Sequence, residues 1–403
     1  MSHRILPLML CSLALGAGGA ARSTQPSAPI NPPVLARSPG EATEPATEPA
    51  VEAIVTAVRE HPIVAIGETH GSADLRAFLV GLSRDRSFRE VTDTIAVEVS
   101  SSAQATIDAF LDGTADDHTL LDALRDGIFS ETGAADPRSI ELYQAIRDAN
   151  RDSDATHQLR VLAVDAPLSW AKVDAAADLA AVDREQAMAS ALTGLLDQDE
   201  RALWIVGAAH VTDAGTPPPA APSPGVAPVR AANARRLIER THPGSVYALS
   251  LYSGFGPLTA QFEPRLGTPA APSVISISAT WVAALPSSAQ GSPNAPGQVL
   301  IAAPGAGTAG PAQPLPSGPS PQLGAPAVMA LPGGGTPATI GDSFDGLLYL
   351  GACNDLRADI PPRTVFDDPT YRAELDRRFR ATRHHPFDPD EFYSVTSSLF
   401  GRC

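Results

Sequence analysis

Several common signatures are missing from this chain, and each absence removes a class of protein. No Gly-x-Ser-x-Gly elbow occurs, which argues against a serine enzyme of the α/β-hydrolase type. No Walker-type loop occurs and no Gly-x-Gly-x-x-Gly follows a core strand, so nucleotide enzymes are disfavoured. The three cysteines show no zinc-type Cys/His spacing. Basic residues are scarce: 29 Lys and Arg stand against 45 Asp and Glu, a formal charge of -16. That balance argues against a partner bound through nucleic-acid phosphates and disfavours adhesion to anionic membrane surfaces. From Leu266 to Gly341 there is no Asp, Glu, Lys or Arg at all.

Long apolar runs are also lacking. Ile5 to Leu15 is apolar, follows Arg4, and leads into Gly16-Ala17-Gly18-Gly19-Ala20-Ala21. A membrane span needs about 20 apolar residues, so the run reads as a cleavable export signal over residues 1–21, placing the protein in the periplasm or outside the cell. Cys11 lies inside the apolar run behind bulky Leu10, which disfavours a lipoprotein. With the signal removed, Cys353 and Cys403 remain; they could pair in an oxidising compartment, but two unrelated cysteines is the preferred reading.

Residues 22–49 are rich in Pro, Ala, Ser, Thr and Glu without periodicity and read as a flexible tether. From residue 50 short apolar strands alternate with helices. The strands are Ile63–Ile66, Thr94–Val99, Leu159–Val164, Ala202–Gly207 and Val246–Leu251. Helices fall at Val51–Glu60, Ser72–Arg84, Ser101 or Ser102 through Leu111, Thr119–Asp126, Pro137–Asn150, Asp183–Leu196 and Ala231–Arg240. Strands apolar throughout belong in a sheet covered on both faces. The fold expected is therefore α/β, a mainly parallel sheet flanked by helices over residues 50–265. Residues 266–341 read as a Pro/Ala/Gly-rich insertion, with edge strands at Val274–Ser278 and Gln298–Ile301 and low complexity from Pro304. The domain resumes over 342–383 with a last strand and closing helix, followed by a solvated tail over 384–403.

In open α/β sheets ligands bind beyond the carboxyl ends of the strands. The first strand ends Gly67-Glu68-Thr69-His70-Gly71, the second carries Glu98, the third ends at Asp165, and the fourth ends Gly207-Ala208-Ala209-His210. Each residue alone has an ordinary explanation as a cap, a core histidine or a turn residue. Four strands each delivering an imidazole or carboxylate to one rim point to a site. His61, His157 and His242 precede strands and belong at the opposite end.

Gly67-Glu68-Thr69-His70-Gly71, Val97-Glu98 and Gly207-Ala208-Ala209-His210-Val211 resemble the erythromycin esterase-like and ChaN-like (haem-uptake) superfamily over Val51 to Leu251, with Phe344–Gly351 similar too. The Glu-x-His spacing is nearer the ChaN-like branch; the esterases usually carry one residue more. The resemblance implies a hydrolase acting on an ester, lactone or amide. His70 would be the general base, Glu68 would hold its ring and Glu98 would position water. His210 would polarise the carbonyl or act as acid, and Arg76 would stabilise an oxyanion. It also implies a variant in which Glu68, His70, Glu98 and His210 hold a divalent metal. The alternative is an extracytoplasmic binder of haem, iron or another small ligand. Haem ligation in the ChaN-like branch uses tyrosine, to which Tyr143, Tyr247 and Tyr252 do not match.

Overall fold

A computed structural model of the chain describes residues 43–132, 136–152, 158–212, 232–253, 262–285 and 339–399. The strands run β1 (Thr47–Pro49), β2 (Ile63–Glu68), β3 (Thr94–Ser100), β4 (Arg160–Asp165), β5 (Ala202–Gly207), β6 (Val246–Leu251), β7 (Ser273–Ser276) and β8 (Gly346–Tyr349). They form one eight-stranded sheet in the order β1-β7-β8-β6-β2-β5-β3-β4. Strands β8 through β4 are mutually parallel, and β7 runs antiparallel to both its neighbours. The expected α/β class is the observed one.

The sequence is apolar along whole strands because alternate side chains serve two cores. Val64 and Ile66 of β2 join Leu203 and Ile205 of β5 on one face. Ile63 and Ala65 join Ala202, Trp204 and Val206 on the other. The first face is covered by α1 (Ala50–Glu60), α2 (Ala73–Arg84), α3 (Arg86–Arg89), α4 (Gln104–Leu111), α5 (Asp117–Gly127) and α6 (Glu141–Arg151). The second is covered by α8 (Arg184–Leu196) and α9 (Ala234–Thr241); a short α7 (Ala176–Ala180) precedes α8. Burying those side chains on both faces is the main driving force holding the layers together, at roughly 25 cal/mol per Å² of apolar surface.

Several expectations are corrected. Residues 43–49, read as tether, join the sheet: Thr43 bridges Thr280 and β1 pairs with β7. The strand expected at Val274 forms as β7 but lies inside the sheet, with β1 at the edge. The cap expected from Ser101 or Ser102 is supplied by Ser100, whose hydroxyl accepts from the Ser102 amide. The closing helix α10 (Pro369–Arg383) is followed by α11 (Pro389–Leu399) in the supposed tail, where Phe392 and Tyr393 pack on Phe366. Aromatic burial ties that segment down. Cys353 is disulfide-bonded, against the preferred reading of unrelated cysteines; Cys11 and Cys403 lie outside the described residues. The export signal, the possible strand at Gln298–Ile301 and the low-complexity stretch also lie outside them. Among the described residues no helix is long and apolar enough to cross a membrane.

Candidate functional site

The carboxyl ends of β2, β3, β4 and β5 lie side by side in the sheet and bring their terminal side chains together. Glu98 is the hub. A register shift between Val97 and Ser100 surrounds it, and such irregularities re-aim side chains at sheet rims. Its Oε2 accepts from the Gly207 amide at 2.6 Å and lies 3.7 Å from His70 Nε2. Its Oε1 accepts from the Arg184 guanidinium and lies 3.4 Å from His210 Nε2.

The far nitrogen of each imidazole meets another carboxylate. His70 Nδ1 sits 3.2 Å from Glu68 Oε1. His210 Nδ1 sits 2.8 and 2.9 Å from the two oxygens of Glu185, and Glu185 Oε2 also accepts from the Ala234 amide at 2.9 Å. The result is an alternating chain Glu68–His70–Glu98–His210–Glu185. Arg184 braces it from the side: Nε donates to Asp165 Oδ2 at 2.9 Å and Oδ1 at 3.1 Å, and its guanidinium carbon lies 4.5 Å over the Phe129 ring.

Electrostatics follow from that order. The protein packed around one side of the ring opposes charge on His70, but the Glu98 carboxylate and then Glu68 outweigh it and push its pKa up to about 9. The ring is 66% exposed, so solvent screens these contacts, yet both neighbours act upward. For His210 burial is again outweighed, first by the hydrogen bond to Glu185 and then by Glu98, and its pKa rises to about 9. Burial would raise Glu98; His70, His210 and Arg184 instead hold it well below the usual carboxylate range. Burial raises Asp165 despite its Arg184 partner.

Of the residues expected from sequence, Glu68, His70, Glu98, Asp165 and His210 converge. Arg76 does not join them through any described contact: it faces Asp359 at 3.2 Å and Glu141 at 3.6 Å in a separate cluster. Arg184 and Glu185 escape the sequence reading, and Gly207 enters it only within the strand-end motif. A signal existed, because a helix that follows a parallel strand begins near the rim where the strand ends, so the first turn of α8 belongs there. Arg184 also breaks a local rule: a cation in the first turn opposes the helix dipole, a conflict that the two carboxylates offset.

The implied metal does not fit. Among the described residues no group of three or more His, Cys, Asp or Glu is arranged to hold an ion. Both Glu98 oxygens are committed, the adjacent cation is a guanidinium, and carboxylates hold both imidazoles toward the protonated form that cannot ligate. Tyr143 and Tyr252 are buried in the cores, and the Tyr247 ring lies 5.3 Å from that of His61 before β2, tilted at 31°. A cleft of about 410 Å³ opens at that opposite end, lined by Pro62, Arg201, His242 and Gly244. It lacks the convergent strand-end chemistry of the rim, which is the better candidate on physical grounds.

No family model matches the chain, and no curated protein matches it. Two solved structures are similar. One is the type III effector HopBA1, at 16% identity and a TM-score of 0.34, covering 54% of this chain and 91% of that one. The other is ChaN of Campylobacter jejuni, described with cofacial haem binding, at 10% identity and a TM-score of 0.31, covering 54% and 94%.

Proposed function

We propose that the rim is the active site of an exported hydrolase in which His70 takes a proton from the water that attacks an ester, lactone or amide carbonyl, and returns it to the leaving oxygen or nitrogen as the acyl bond breaks. One observation carries this reading. Glu68 holds Nδ1 of an exposed imidazole, while Nε2 stands 3.7 Å from Glu98, beyond hydrogen-bond reach. An oriented ring with its second nitrogen still able to take a partner is the arrangement general acid–base catalysis requires. Water or a substrate oxygen placed between Nε2 and Glu98 would meet both groups.

In this reading Glu68 selects the tautomer with the proton on Nδ1 once the ring is neutral. Glu98 faces Nε2 across the gap that water would fill, and the His210 imidazole, held between Glu98 and Glu185, sets the charge of the carboxylates beside it. Arg184 donates to both Glu98 and Asp165 and offsets their charges where they meet. Because Glu98 and Glu68 raise the pKa of His70, they favour its protonated form, and a general base must lose that proton first. Turnover should therefore climb with pH through an apparent pKa above the ordinary 6.5 of histidine.

The test is a panel of esters, lactones and amides assayed from pH 6 to 10, on wild type and His70→Ala. Turnover that rises with pH and vanishes in a folded His70→Ala supports the proposal. A haem absorption band without turnover would assign the rim to ligand binding instead. Export is read separately, from the amino-terminal sequence of protein recovered outside the cytoplasm.

A further inference from the structure

The loop that carries His70 has little packing of its own. Thr69, His70 and Gly71 are all exposed, and Gly71 turns through φ +92, a joint that favours glycine. What holds the far side of this joint comes from about 285 residues later in the chain. Ala358 forms an antiparallel bridge with Ser72. The Asp359 amide donates to the Gly71 carbonyl at 2.7 Å, and the Ala73 amide donates to the Arg357 carbonyl at 3.0 Å. Asp74 completes the clasp: it accepts from the Arg357 amide at 2.6 Å and from its guanidinium at 2.6 and 3.0 Å.

We propose that Arg357 and Asp74 are positioning residues for His70, clamping the Arg357–Asp359 strap across the loop so that the imidazole stays between Glu68 and Glu98. The argument is one of economy. Arg357 is 70% exposed, and ion pairs so placed contribute little to global stability. Its main chain and side chain nevertheless make four hydrogen bonds to Ala73 and Asp74. A contact set that buries so little apolar surface has its effect on where the loop sits. The strap's other anchor is independent of this pair: Arg138 donates to the Ile360 carbonyl at 3.0 Å and lies 3.1 Å from Asp359. Loss of the Arg357–Asp74 pair should therefore loosen the joint without releasing the strap.

The effect on turnover rests on the hydrolytic reading of His70; the effect on the ring does not. The experiment follows the His70 imidazole by NMR titration in full-length wild type, Arg357→Ala, Asp74→Asn and Arg357→Lys, assigned by difference from His70→Ala. In Arg357→Ala and Asp74→Asn the His70 pKa should fall toward its ordinary value by about half a unit or more. The melting temperature should stay within about 2 °C, and Arg357→Lys should recover part of the shift. Where a substrate has been found, kcat should drop about tenfold with KM little changed. A His70 titration unchanged in both variants overturns the proposal, as does a loss of stability with no change in titration. A shifted titration with unchanged turnover keeps the clamp and removes His70 from the chemistry. Should Arg357→Ala fail to fold, hydrogen exchange at the Ala73 and Asp359 amides in Arg357→Lys decides: exchange no faster than in wild type refutes the clamp.

Discussion

Replacing Gly207 by alanine is the smallest change that reaches the centre of the rim. A Cβ built there would meet His70 Nε2 at 2.9 Å and Glu98 Oε2 at 3.2 Å. The backbone is not the obstacle, because Gly207 sits at φ -56 and ψ 135, which alanine adopts freely. Something must move, and Glu98 is fixed by Arg184, so the exposed His70 ring yields. Restoring an ordinary contact of about 3.4 Å requires a shift of about 0.5 Å, which lengthens the 3.7 Å Nε2–Glu98 separation to about 4.2 Å. At an effective dielectric of about 20 that weakens the attraction by at most about 0.5 kcal/mol, and exposure of the ring reduces the figure further. The pKa of His70 should therefore fall by no more than about 0.4 unit. Stability should drop by only about 1 kcal/mol, the low end for overpacking, since an exposed ring moves aside easily. Turnover is more sensitive, because displacements of this order degrade reacting geometry by tenfold to a hundredfold. NMR titration of His70, urea denaturation and the ester panel read the three quantities separately. If Gly207→Ala keeps full turnover, or if it unfolds the protein outright, the close approach of His70 to this glycine is not what the reasoning takes it to be.

Three other expectations follow from the same contacts. Arg184→Met leaves the buried carboxylates of Glu98 and Asp165 without their shared cation, and should cost about 3 kcal/mol or more by urea denaturation; a loss under 1 kcal/mol would mean that the pair neutralises itself some other way. The histidine contacts make stability fall in alkali. His70 and His210 have folded pKa values near 9 against an ordinary 6.5, so their stabilisation is complete below pH 6.5 and disappears as pH rises through about 9. Glu98, held low, contributes above pH 4.5 and loses its contribution as pH falls through its depressed pKa. Melting temperatures across pH 4 to 10 check both limbs, and Glu185→Gln should shrink the alkaline one. Asp359 has its pKa raised to about 6, chiefly by burial and next to Asp136, so its contribution is present in acid and is lost as pH rises from 3.8 through about 6. Asp359→Asn should remove that slope, and a variant whose melting temperature follows wild type across the window would refute the assignment.

The fold was legible because its signal is redundant. Each parallel strand is apolar on both faces, and two cores reading alternate residues of β2 and β5 leave no other arrangement that buries them all. What escaped was the periphery. Strand β1 is three exposed residues held by pairing with β7, so neither hydrophobicity nor length marks it. Helix α11 was hidden because its Phe392 and Tyr393 make sense only beside Phe366, which lies outside that segment.

The site divides along the same line. Glu68, His70, Glu98, Asp165 and His210 were visible because polar residues at the ends of apolar strands are conspicuous. Arg184 and Glu185 begin a helix, where charged residues are ordinary. Yet a rim holding three carboxylates, two of them on the adjacent strands β3 and β4, is not stable as such: like charges at that spacing would raise one another's pKa and neutralise. The carboxylates on β3 and β4 therefore demanded a cation between them, and a planar one, since a guanidinium can serve both carboxylates at once. Sequence supplies that demand without supplying the donor. Arg76, on the helix after the Glu-x-His segment, was the nearer candidate along the chain, but α2 carries it to Asp359 and Glu141. Helix α8 follows β4, the strand that ends in Asp165, and its first residue lands beside both Asp165 and Glu98. The order of strands in the sheet, β5-β3-β4, decides which arginine answers, and that order is not written in the local pattern of any strand.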